Sequence, residues 1–330
     1  MTNVLDVTGL TTQYTKKGAA FTIVDELSLH VKKGEALGIV GESGCGKSVT
    51  SLSIMQLLGG NGKIRQGSVR LNGRDLLSLT QKEMQRIRGK EMAMIFQEPM
   101  SSLNPVLTIG KQMSEVLEKH EGYSKQQARE RVIELLTLVG IPRANEIFAE
   151  YPHRLSGGMR QRAMIAMAIA CNPALLIADE PTTALDVTIQ AQILDLITKI
   201  RKELGMAMIM ITHDLGVVAE TCDRVMVMYA GQVIEHADVR TLLRSPKHPY
   251  TIGLINSTPH KSKGARRLYS IAGSVPSPDE YPVGCRFAPR CEKAMPICST
   301  QSPQLLELDQ QSSCRCWLYE EKAGLSAVIL

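Results

Sequence analysis

The sequence predicts an α/β fold with a buried parallel sheet, and two stretches carry that prediction. In the first, the apolar strand Ala36–Val40 leads into a glycine-rich loop and a helix that runs to about Leu58. In the second, Ala174–Ala178 is a short apolar run typical of strands in parallel sheets, and Asp179 and Glu180 follow it directly. Open α/β sheets bind ligands at the carboxyl ends of their strands, so both stretches indicate a ligand site.

The composition is that of a globular protein of 330 residues, long enough for one large domain and a smaller one. The net charge is only +5 and no long basic stripe is present, so nothing argues for nucleic acid binding. The longest apolar run, Ala163–Ala170, is far shorter than the roughly 18 residues of a membrane span. The N-terminus lacks the basic and apolar regions of a signal peptide, so we expect a cytosolic protein. Eight cysteines in such a protein indicate thiols or metal ligands rather than disulfides.

The N-terminal part is predicted to consist of short strands, with Tyr14 in the loop before the second of them. Tyr14 is either a partly exposed hairpin aromatic or an aromatic that stacks on a base, and its spacing alone does not decide. A later strand ends directly before Gln97. Besides Ala36–Val40, the strands predicted in this part are Val4–Val7, Thr22–Val24, Leu27–Val31, Ser68–Asn72 and Glu91–Phe96.

From about Leu103 to Tyr151 the pattern changes to that of amphipathic helices. Ser124 with Gln127 forms a capping-box sequence, and the apolar residues after it keep helical spacing. We therefore predict a helical subdomain, about residues 103–160, inserted between the two halves of the α/β fold.

The glycine-rich loop Gly41–Ser48, GESGCGKS, matches the phosphate-binding pattern G-x-x-x-x-G-K-[ST]. Its position between an apolar strand and a helix is the structural context that this motif requires. In such loops the backbone N–H groups surround the phosphates, the lysine (here Lys47) reaches the β- and γ-phosphates, and the hydroxyl (here Ser48) ligates Mg²⁺. Cys45 is interpreted as a small residue that fits the loop. The sequence therefore predicts a nucleotide site.

Asp179 and Glu180 are either part of a solvated turn or a pair that shares phosphoryl transfer, one holding Mg²⁺ and the other orienting water. The phosphate-binding loop favours the second interpretation.

Further on, a helix ends at Gly205 and the buried strand Met206–Ile211 follows it. A lone histidine is usually structural, but the position of His213 just beyond this strand favours contact with the γ-phosphate. A hairpin of Arg224–Tyr229 and Gly231–Ile234 comes next.

The sequence LSGGMRQR begins a buried helix between the helical part and the two carboxylates. Ser156 is a good N-cap, and Gly157 and Gly158 allow backbone N–H groups to approach a ligand closely. Arg160 and Arg162 lie in the first turn, where the helix dipole disfavours cations. They are therefore either solvated or partners of a bound anion, because helix N-termini are natural phosphate sites.

Together, the Gly41–Ser48 loop, Gln97, His213 and the sequences LSGGMRQR, LLIADE and TALD resemble an ATP-binding cassette (ABC) ATPase over residues 1–250. The chain further resembles the ATPase subunits of bacterial dipeptide and oligopeptide importers, most of all the first of their two ATPase subunits. The stretches that carry this resemblance are IVGESGCGKSVTSLSIM, AMIFQEPMSSLNP, YPHRLSGGMRQR, IADEPTTALDVTIQAQIL, ITHDLGVVAE and HPYTIGL. Closely similar subunits serve nickel and metallophore importers, so the resemblance defines the type of transporter better than the imported solute.

The resemblance implies an ABC-type P-loop ATPase core with an N-terminal antiparallel β subdomain and the inserted helical subdomain. The ATPase domain would cover residues 1–250, and a small cysteine-containing extension would cover residues 251–330. Tyr14 would stack on adenine, and Gln97 would sense the γ-phosphate and Mg²⁺ and face the membrane subunits. The loop and helix residues that would bind ATP are Gly41, Ser43, Gly44, Cys45, Gly46, Lys47, Ser48 and Val49.

The same resemblance assigns the remaining site residues. Asp179 would hold Mg²⁺ together with Ser48 and Gln97, Glu180 would act as general base toward water, and His213 would contact the γ-phosphate. Two further elements would act between subunits. The γ-phosphate of a nucleotide held by the opposite subunit would be bound by Ser156, Gly157 and Gly158. Asp186 would lie across the same interface.

The implied partners are a second ABC ATPase, two transmembrane permeases and an extracytoplasmic substrate-binding protein. The resemblance favours a paralogue over a second copy of this chain as the second ATPase. The chain would sit peripherally on the cytoplasmic face of the membrane. The alternatives are the same machine importing nickel or a metallophore, and a soluble ABC ATPase of repair or translation. A non-enzymatic regulatory subunit is a third class, and the intact Glu180 and His213 argue against it.

The C-terminal part is rich in proline and polar residues and carries a cluster of cysteines. Cys285, Cys291 and Cys298 are followed by Cys314 and Cys316. They are unrelated reduced thiols, a zinc site, or the ligands of a [4Fe–4S] cluster; zinc sites favour tighter spacing, whereas thiolates on irregular loops suit iron–sulfur clusters. The resemblance favours a structural [4Fe–4S] cluster with Cys316 as fourth ligand, because the last cysteine of the family precedes an aromatic residue or histidine and then leucine.

Overall fold

The computed structural model of the protein describes residues 2–97, 102–183, 185–258, 269–309 and 312–320. Parts of the predicted C-terminal extension, residues 259–268, 310–311 and 321–330, therefore lie outside the described residues. Within the described ranges, no helix has both the length and the apolar character needed to cross a membrane.

Strands and helices of the described residues alternate along most of the chain. The strands are β1 (Asn3–Lys16), β2 (Ala19–Lys32), β3 (Ala36–Val40), β4 (Gly62–Leu71), β5 (Arg74–Asp75), β6 (Met92–Ile95), β7 (Leu175–Asp179), β8 (Ala207–Thr212), β9 (Arg224–Tyr229), β10 (Gln232–Asp238), β11 (Leu306–Asp309) and β12 (Ser312–Cys314). The helices are α1 (Lys47–Ile54), α2 (Gln81–Ile87), α3 (Ile109–Glu121), α4 (Lys125–Leu138), α5 (Ala144–Ile147), α6 (Gly157–Ala168), α7 (Val187–Leu204), α8 (Leu215–Thr221), α9 (Val239–Arg244), α10 (Pro249–Asn256) and α11 (Pro296–Thr300). Short 3₁₀ turns lie at Pro152–Arg154, Ala288–Arg290 and Trp317–Tyr319.

The chain forms two compact units. The first unit comprises Met1–Leu5, His30–Glu35 and Arg70–Met210, and the second comprises Asp6–Leu29, Ala36–Val69 and Ile211–Leu330. The first unit therefore holds the predicted catalytic carboxylates, and the second holds the phosphate-binding loop and the cysteines.

The first unit joins a pair of buried parallel strands to a set of packed helices. Strands β6 and β7 pair in parallel from Met92 opposite Leu175 to Ile95 opposite Ala178, and every residue of both strands is buried. Helices α3, α4 and α6 pack on one another, and α7 packs on α6. The predicted capping box at α4 is confirmed, because Ser124 and Gln127 each accept a hydrogen bond from the other's backbone N–H.

The second unit contains a sheet in which the strands lie in the order β11-β12-β10-β9-β3. Strand β3 pairs in parallel with β9, whereas β10 is antiparallel to both β9 and β12. The strands β11 and β12, which the sequence analysis does not predict, thus extend the sheet that carries the phosphate-binding loop. Phe287, also beyond residue 250, lies in the same buried cluster as Val40 of β3 and Tyr250 of α10.

The N-terminal strands are longer than predicted. Tyr14 lies within β1 and not in a loop, so that part of the prediction is wrong. The polar residues beside Tyr14 have partners on other elements: Thr12 Oγ1 lies 2.8 Å from Ser53 Oγ, and Gln13 Nε2 donates to Thr22 Oγ1 at 3.1 Å. Helix α1 also ends at Ile54, earlier than the predicted Leu58.

Candidate active site

The phosphate-binding loop connects β3 to α1 in the second unit. Two of its glycines are required because backbone atoms of other segments lie too close for a side chain. A Cβ atom on Gly41 would overlap the carbonyl oxygen of Met228, and one on Gly46 would lie 2.9 Å from the carbonyl oxygen of Ile23. Gly46 also has φ = 104°, a backbone conformation that residues other than glycine disfavour. The loop therefore owes its path to the glycines of the motif.

Lys47 is buried beneath this loop and is 5% exposed. Its ammonium group donates to the carbonyl oxygens of Gly41 at 2.7 Å and Glu42 at 3.0 Å. Helix α1 begins at Lys47, and no side chain of the described residues caps its first N–H groups. Ser43 and Gly44 are exposed, so the loop is accessible from solvent above the buried lysine, at the start of a helix whose first N–H groups can meet an anion.

Cys45 fills space inside the loop. Its side chain is fully buried, and burial raises the pKa of the thiol, although the nearby Lys47 opposes this shift. The thiol is therefore neutral at physiological pH. This agrees with the interpretation of Cys45 as a small residue that fits the loop.

The other predicted contacts of the second unit have the following positions. The Tyr14 ring is half-buried against Gly62, where an added Cβ would lie 2.8 Å from the tyrosine Cζ. Val49 and Ser48 are half-buried in the first turn of α1. His213 is exposed directly after β8, and the next residue, Asp214, caps α8 by accepting from the Gly216 N–H at 2.7 Å. The roles of Tyr14 and His213 toward a nucleotide stay predictions.

In the first unit, β7 ends in Asp179, which is 4% exposed, and Glu180 follows it. Glu180 has φ = 45°, a left-handed conformation that is rare for residues other than glycine and is often found at functional sites. Gln97 Nε2 donates to Glu180 Oε2 at 3.0 Å, and Thr183 Oγ1 donates to the same oxygen at 2.9 Å. The structure thus brings together the predicted Gln97 and Glu180.

Thr183 is a site residue that the sequence analysis missed. The signal available was its position three residues after Glu180, where a hydroxyl on a tight turn reaches back to the carboxylate. The turn itself is closed by the Thr183 N–H, which donates to the Glu180 carbonyl at 3.2 Å.

The two predicted subunit-contact elements of the first unit lie against each other. Ser156 caps α6 by accepting from the Met159 N–H at 3.3 Å, and Asp186 caps α7 by accepting from the Ile189 N–H at 3.0 Å. A Cβ on Gly158 would lie 3.1 Å from Ile189 Cγ2. Ser156, Gly157 and Asp186 are all exposed. The starts of both helices therefore form one accessible surface.

Arg162 of α6 is half-buried and bonds to the two neighbouring helices. Its guanidinium donates to the Val139 carbonyl at the C-terminus of α4 at 2.5 Å and to Gln192 Oε1 of α7 at 3.0 Å. Cations are favourable at helix C-termini, so this arginine ties α6 to both neighbours. Its role is structural.

The cysteines beyond residue 280 lie near one another in the second unit. The Cys285 N–H donates to the Cys298 carbonyl at 2.8 Å. The pKa of the Cys316 thiol is raised to about 11 by burial and further by the neighbouring Cys285, Cys291 and Cys298. Cys314 lies on β12 opposite Glu235, and the pKa of its thiol is raised by burial, then by that carboxylate, and also by Cys316 and Cys285. Across the described residues, no group of three or more His, Cys, Asp or Glu side chains is arranged to hold a metal ion.

Comparison with known proteins gives two family matches and close relatives. Residues 24–183 match the family described as "ABC transporter", and residues 234–298 match "Oligopeptide/dipeptide transporter, C-terminal region". The chain is 54% identical to the oligopeptide transport ATP-binding protein AppD of Bacillus subtilis over 98% of this chain and 99% of that protein. It is 50% identical to the dipeptide transport ATP-binding protein DppD of Haemophilus influenzae over 92% of each chain.

Solved structures agree with the predicted fold class. A dimeric ATP-binding cassette in a post-hydrolysis state with ADP and phosphate is 29% identical, with a TM-score of 0.64 over 72% of this chain and 99% of that one. CbiO1 of Clostridium perfringens, part of an ABC transporter complex, is 25% identical, with a TM-score of 0.64 over 77% and 96%. The fold is therefore that of an ABC ATPase cassette, mixed α/β with an antiparallel β subdomain.

Proposed function

Since the chain belongs to the ATP-binding subunits of ABC peptide transporters, we propose that its hydrolysis of ATP powers the import of dipeptides or oligopeptides. The observation that carries this proposal is the 54% identity to an oligopeptide transport ATP-binding protein over 98% of this chain. The similarity extends past the ATPase core, because residues 234–298 match the C-terminal region of oligopeptide and dipeptide transporters. The relatives thus favour a transporter over a soluble ATPase of repair or translation.

In the second unit, we assign phosphate binding to the Gly41–Ser48 loop. The catalytic lysine, Lys47, is held by two carbonyl oxygens beneath the loop, and a γ-phosphate offers stronger, charged acceptors for the same donors. Tyr14 is proposed to stack on adenine and His213 to contact the γ-phosphate. The division into an ATPase domain over 1–250 and an extension over 251–330 stays a prediction.

In the first unit, Glu180 is the proposed general base. Two donors, Gln97 and Thr183, share its Oε2 atom, so the carboxylate has a fixed orientation before water arrives. Asp179 is the proposed magnesium ligand of this unit. The donors assigned to Mg²⁺, namely Ser48, Gln97 and Asp179, are a hydroxyl, an amide and a carboxylate, all oxygen ligands of the kind this ion prefers. When bound, Mg²⁺ neutralises charge that develops on the transferred phosphoryl group.

The proposed partners are two permeases, a substrate-binding protein and a second ATPase that is a paralogue. Ser156, Gly157 and Gly158 would bind the γ-phosphate of a nucleotide held by that second ATPase, and Asp186 would lie across the interface. Binding of ATP between two cassettes would hold them together, and hydrolysis would release them, which requires ATP to bind the closed state better than the open one. The chain would then act on the cytoplasmic face of the membrane. Import of nickel or a metallophore by the same machine is the competing substrate assignment.

We also propose that Cys285, Cys291, Cys298 and Cys316 hold a structural [4Fe–4S] cluster. The support is that these cysteines lie near one another: the Cys285 N–H donates to the Cys298 carbonyl at 2.8 Å, and Cys285, Cys291 and Cys298 all raise the pKa of the Cys316 thiol after burial. Thiolates are the ligands that such clusters use. As the described thiols are not arranged for a metal, cluster binding would require their side chains to reorient.

A tagged pull-down from solubilised native membranes tests the transport proposal, with co-purifying chains identified by mass. We expect two polytopic permeases, a second ATPase and a binding protein, and the binding protein would then be screened against peptides and metal chelates. Purification alone, or with ribosomes or DNA, would contradict the transport proposal while leaving the ATPase chemistry in place.

A further inference from the structure

The second residue of the phosphate-binding loop, Glu42, forms an ion pair with an arginine from the far end of the chain. Arg290 Nη1 lies 3.0 Å from Glu42 Oε1, and Arg290 Nη2 lies 3.0 Å from Glu42 Oε2. The two hydrogen bonds are parallel, so a planar guanidinium meets a planar carboxylate edge to edge. The Arg290 side chain is only 6% exposed and that of Glu42 is 29% exposed. This pair is therefore much less screened by solvent than a surface salt bridge.

The guanidinium of Arg290 is fixed from several sides. Its Nε donates to the Ala272 carbonyl at 2.8 Å, its Nη2 lies 3.3 Å from the Gly273 carbonyl, and its Nη1 lies 3.4 Å from the Tyr229 hydroxyl. The charged group also stands 5.7 Å from the centre of the Tyr229 ring. Arg290 thus reaches Glu42 from a rigid position.

The backbone of Glu42 is held as firmly as its side chain. Its N–H donates to the Tyr250 hydroxyl at 2.9 Å, and its carbonyl accepts from Lys47 Nζ at 3.0 Å. Tyr250 is fully buried and packs against Tyr229 and Phe287 at ring distances of 4.8 and 5.4 Å. Glu42 therefore links the C-terminal region to the lysine that reaches the phosphates.

We propose that Arg290 is a positioning residue for nucleotide binding, which fixes Glu42 and thereby holds the phosphate-binding loop in its binding conformation. The C-terminal region would then set the affinity of the ATPase for nucleotide, although it contributes no group to the nucleotide itself. The physical basis is preorganisation: a loop already ordered loses less conformational entropy when ligand binds. The inference rests on nucleotide binding at Gly41–Ser48, part of the proposed function, and not on the identity of the imported solute.

The test is equilibrium binding of a fluorescent ATP analogue with Mg²⁺ to the full chain. Arg290→Met is expected to raise the Kd about tenfold, since it frees the Glu42 side chain and loosens the loop. Glu42→Gln is expected to raise the Kd to a similar degree, and it guards against failure of the arginine variant to fold. If the two side chains act through each other, the double variant binds no more weakly than the single ones.

Arg315→Met is the matched control. Arg315 is another partly buried arginine of the C-terminal region, and it donates to the carbonyls of Val233 and Pro303 at 2.9 and 3.2 Å. It therefore reports the effect of losing a structural arginine whose hydrogen-bond partners are outside the loop. We expect its Kd to stay within about twofold of the wild-type value.

A second readout follows the loop without nucleotide. Cys45 is fully buried in the loop, so its alkylation rate, measured by peptide mass, reports loop opening. Arg290→Met is expected to accelerate labelling of Cys45, and Arg315→Met is not. A wild-type Kd and labelling rate in Arg290→Met, or equal effects in Arg315→Met, would overturn the inference. Failure of the wild-type chain to bind the analogue would instead overturn the nucleotide site itself.

Discussion

The amide of Gln97 donates a hydrogen bond of 3.0 Å to the carboxylate of Glu180. Gln97 follows β6 and Glu180 follows β7, and these two strands pair in parallel, so their carboxyl ends bring the two side chains to the same edge. A residue assigned to sensing and a residue assigned to chemistry are therefore in direct contact. Any displacement of Gln97 would change the orientation of the proposed base.

Glu180→Gln is expected to abolish hydrolysis while retaining nucleotide binding. The amide keeps an oxygen that can accept from Gln97 and Thr183, but it cannot take a proton from water. We expect kcat to fall by at least about 100-fold, the usual contribution of a general base. Phosphate release and the Kd for the ATP analogue measure the two effects separately.

Glu203→Gln provides the control for this variant. Glu203 lies on α7, its side chain is 50% exposed, and its carboxylate stands 3.9 Å from Lys199. Loss of this surface pair is expected to leave kcat unchanged. Substantial hydrolysis by Glu180→Gln would show that another group accepts the proton.

Thr183→Val is expected to lower kcat by about fivefold with little change in KM. The substitution preserves shape but removes one neutral hydrogen bond to Glu180, a loss of about 1 kcal/mol. Because this hydrogen bond acts on the proposed base, we expect substrate binding to be spared. Steady-state kinetics with separate kcat and KM values decide, and a change confined to KM would contradict the positioning role.

Local signals in the sequence were sufficient for several elements. Strand β9 has the predicted bounds, Arg224–Tyr229, because an apolar run was set off from polar neighbours. Helix α7 ends at the predicted Gly205, whose φ is 61° and suits glycine. In each case the determining interaction lies within a few residues, so the sequence pattern records it.

Interactions between distant residues left no such pattern. Arg290 and Glu42 are separated by 248 positions, and neither has a local feature that names the other. The pairing of β12 with β10 was missed for the same reason, since Ser312–Cys314 is too short to show alternation. The length of β1 around Tyr14 is likewise not evident locally, since the polar residues beside it bond to side chains of other elements. Resemblance to a family predicts the site residues, but not these supports.

Cysteine substitutions are expected to separate cluster ligands from bystanders. Cys285→Ser and Cys316→Ser should each lower bound iron and acid-labile sulfide, measured per chain after anaerobic purification. Cys314→Ser should retain both, since Cys314 pairs with Glu235 within the sheet, and Cys171→Ser serves as a control far from the C-terminal region in sequence. Absence of iron in the wild-type protein, or equal iron in all variants, would contradict the cluster.

The buried His248 is expected to make the protein less stable in mild acid. Its side chain is 1% exposed, and its Nδ1 accepts from the Tyr250 N–H at 3.0 Å to cap α10. Burial lowers the pKa of His248 to about 3 from an ordinary value of 6.5. Below pH 6.5 the unfolded chain therefore binds a proton that the native chain excludes. This residue should lower the free energy of unfolding by about 1.4 kcal/mol for each pH unit below that point.

His248→Asn isolates this contribution, because asparagine also caps helices but does not titrate. Melting temperatures from pH 7.5 to pH 5 should fall less steeply for the variant than for the wild-type chain. Glu235 acts in the opposite direction: burial raises the pKa of its carboxyl, so the stability from its protonated form is lost as pH rises through that pKa. Since Glu235 is present in both proteins, the difference between their pH profiles reports His248. Parallel profiles would show that His248 takes up a proton equally in the folded and unfolded chains, and would contradict the lowered pKa.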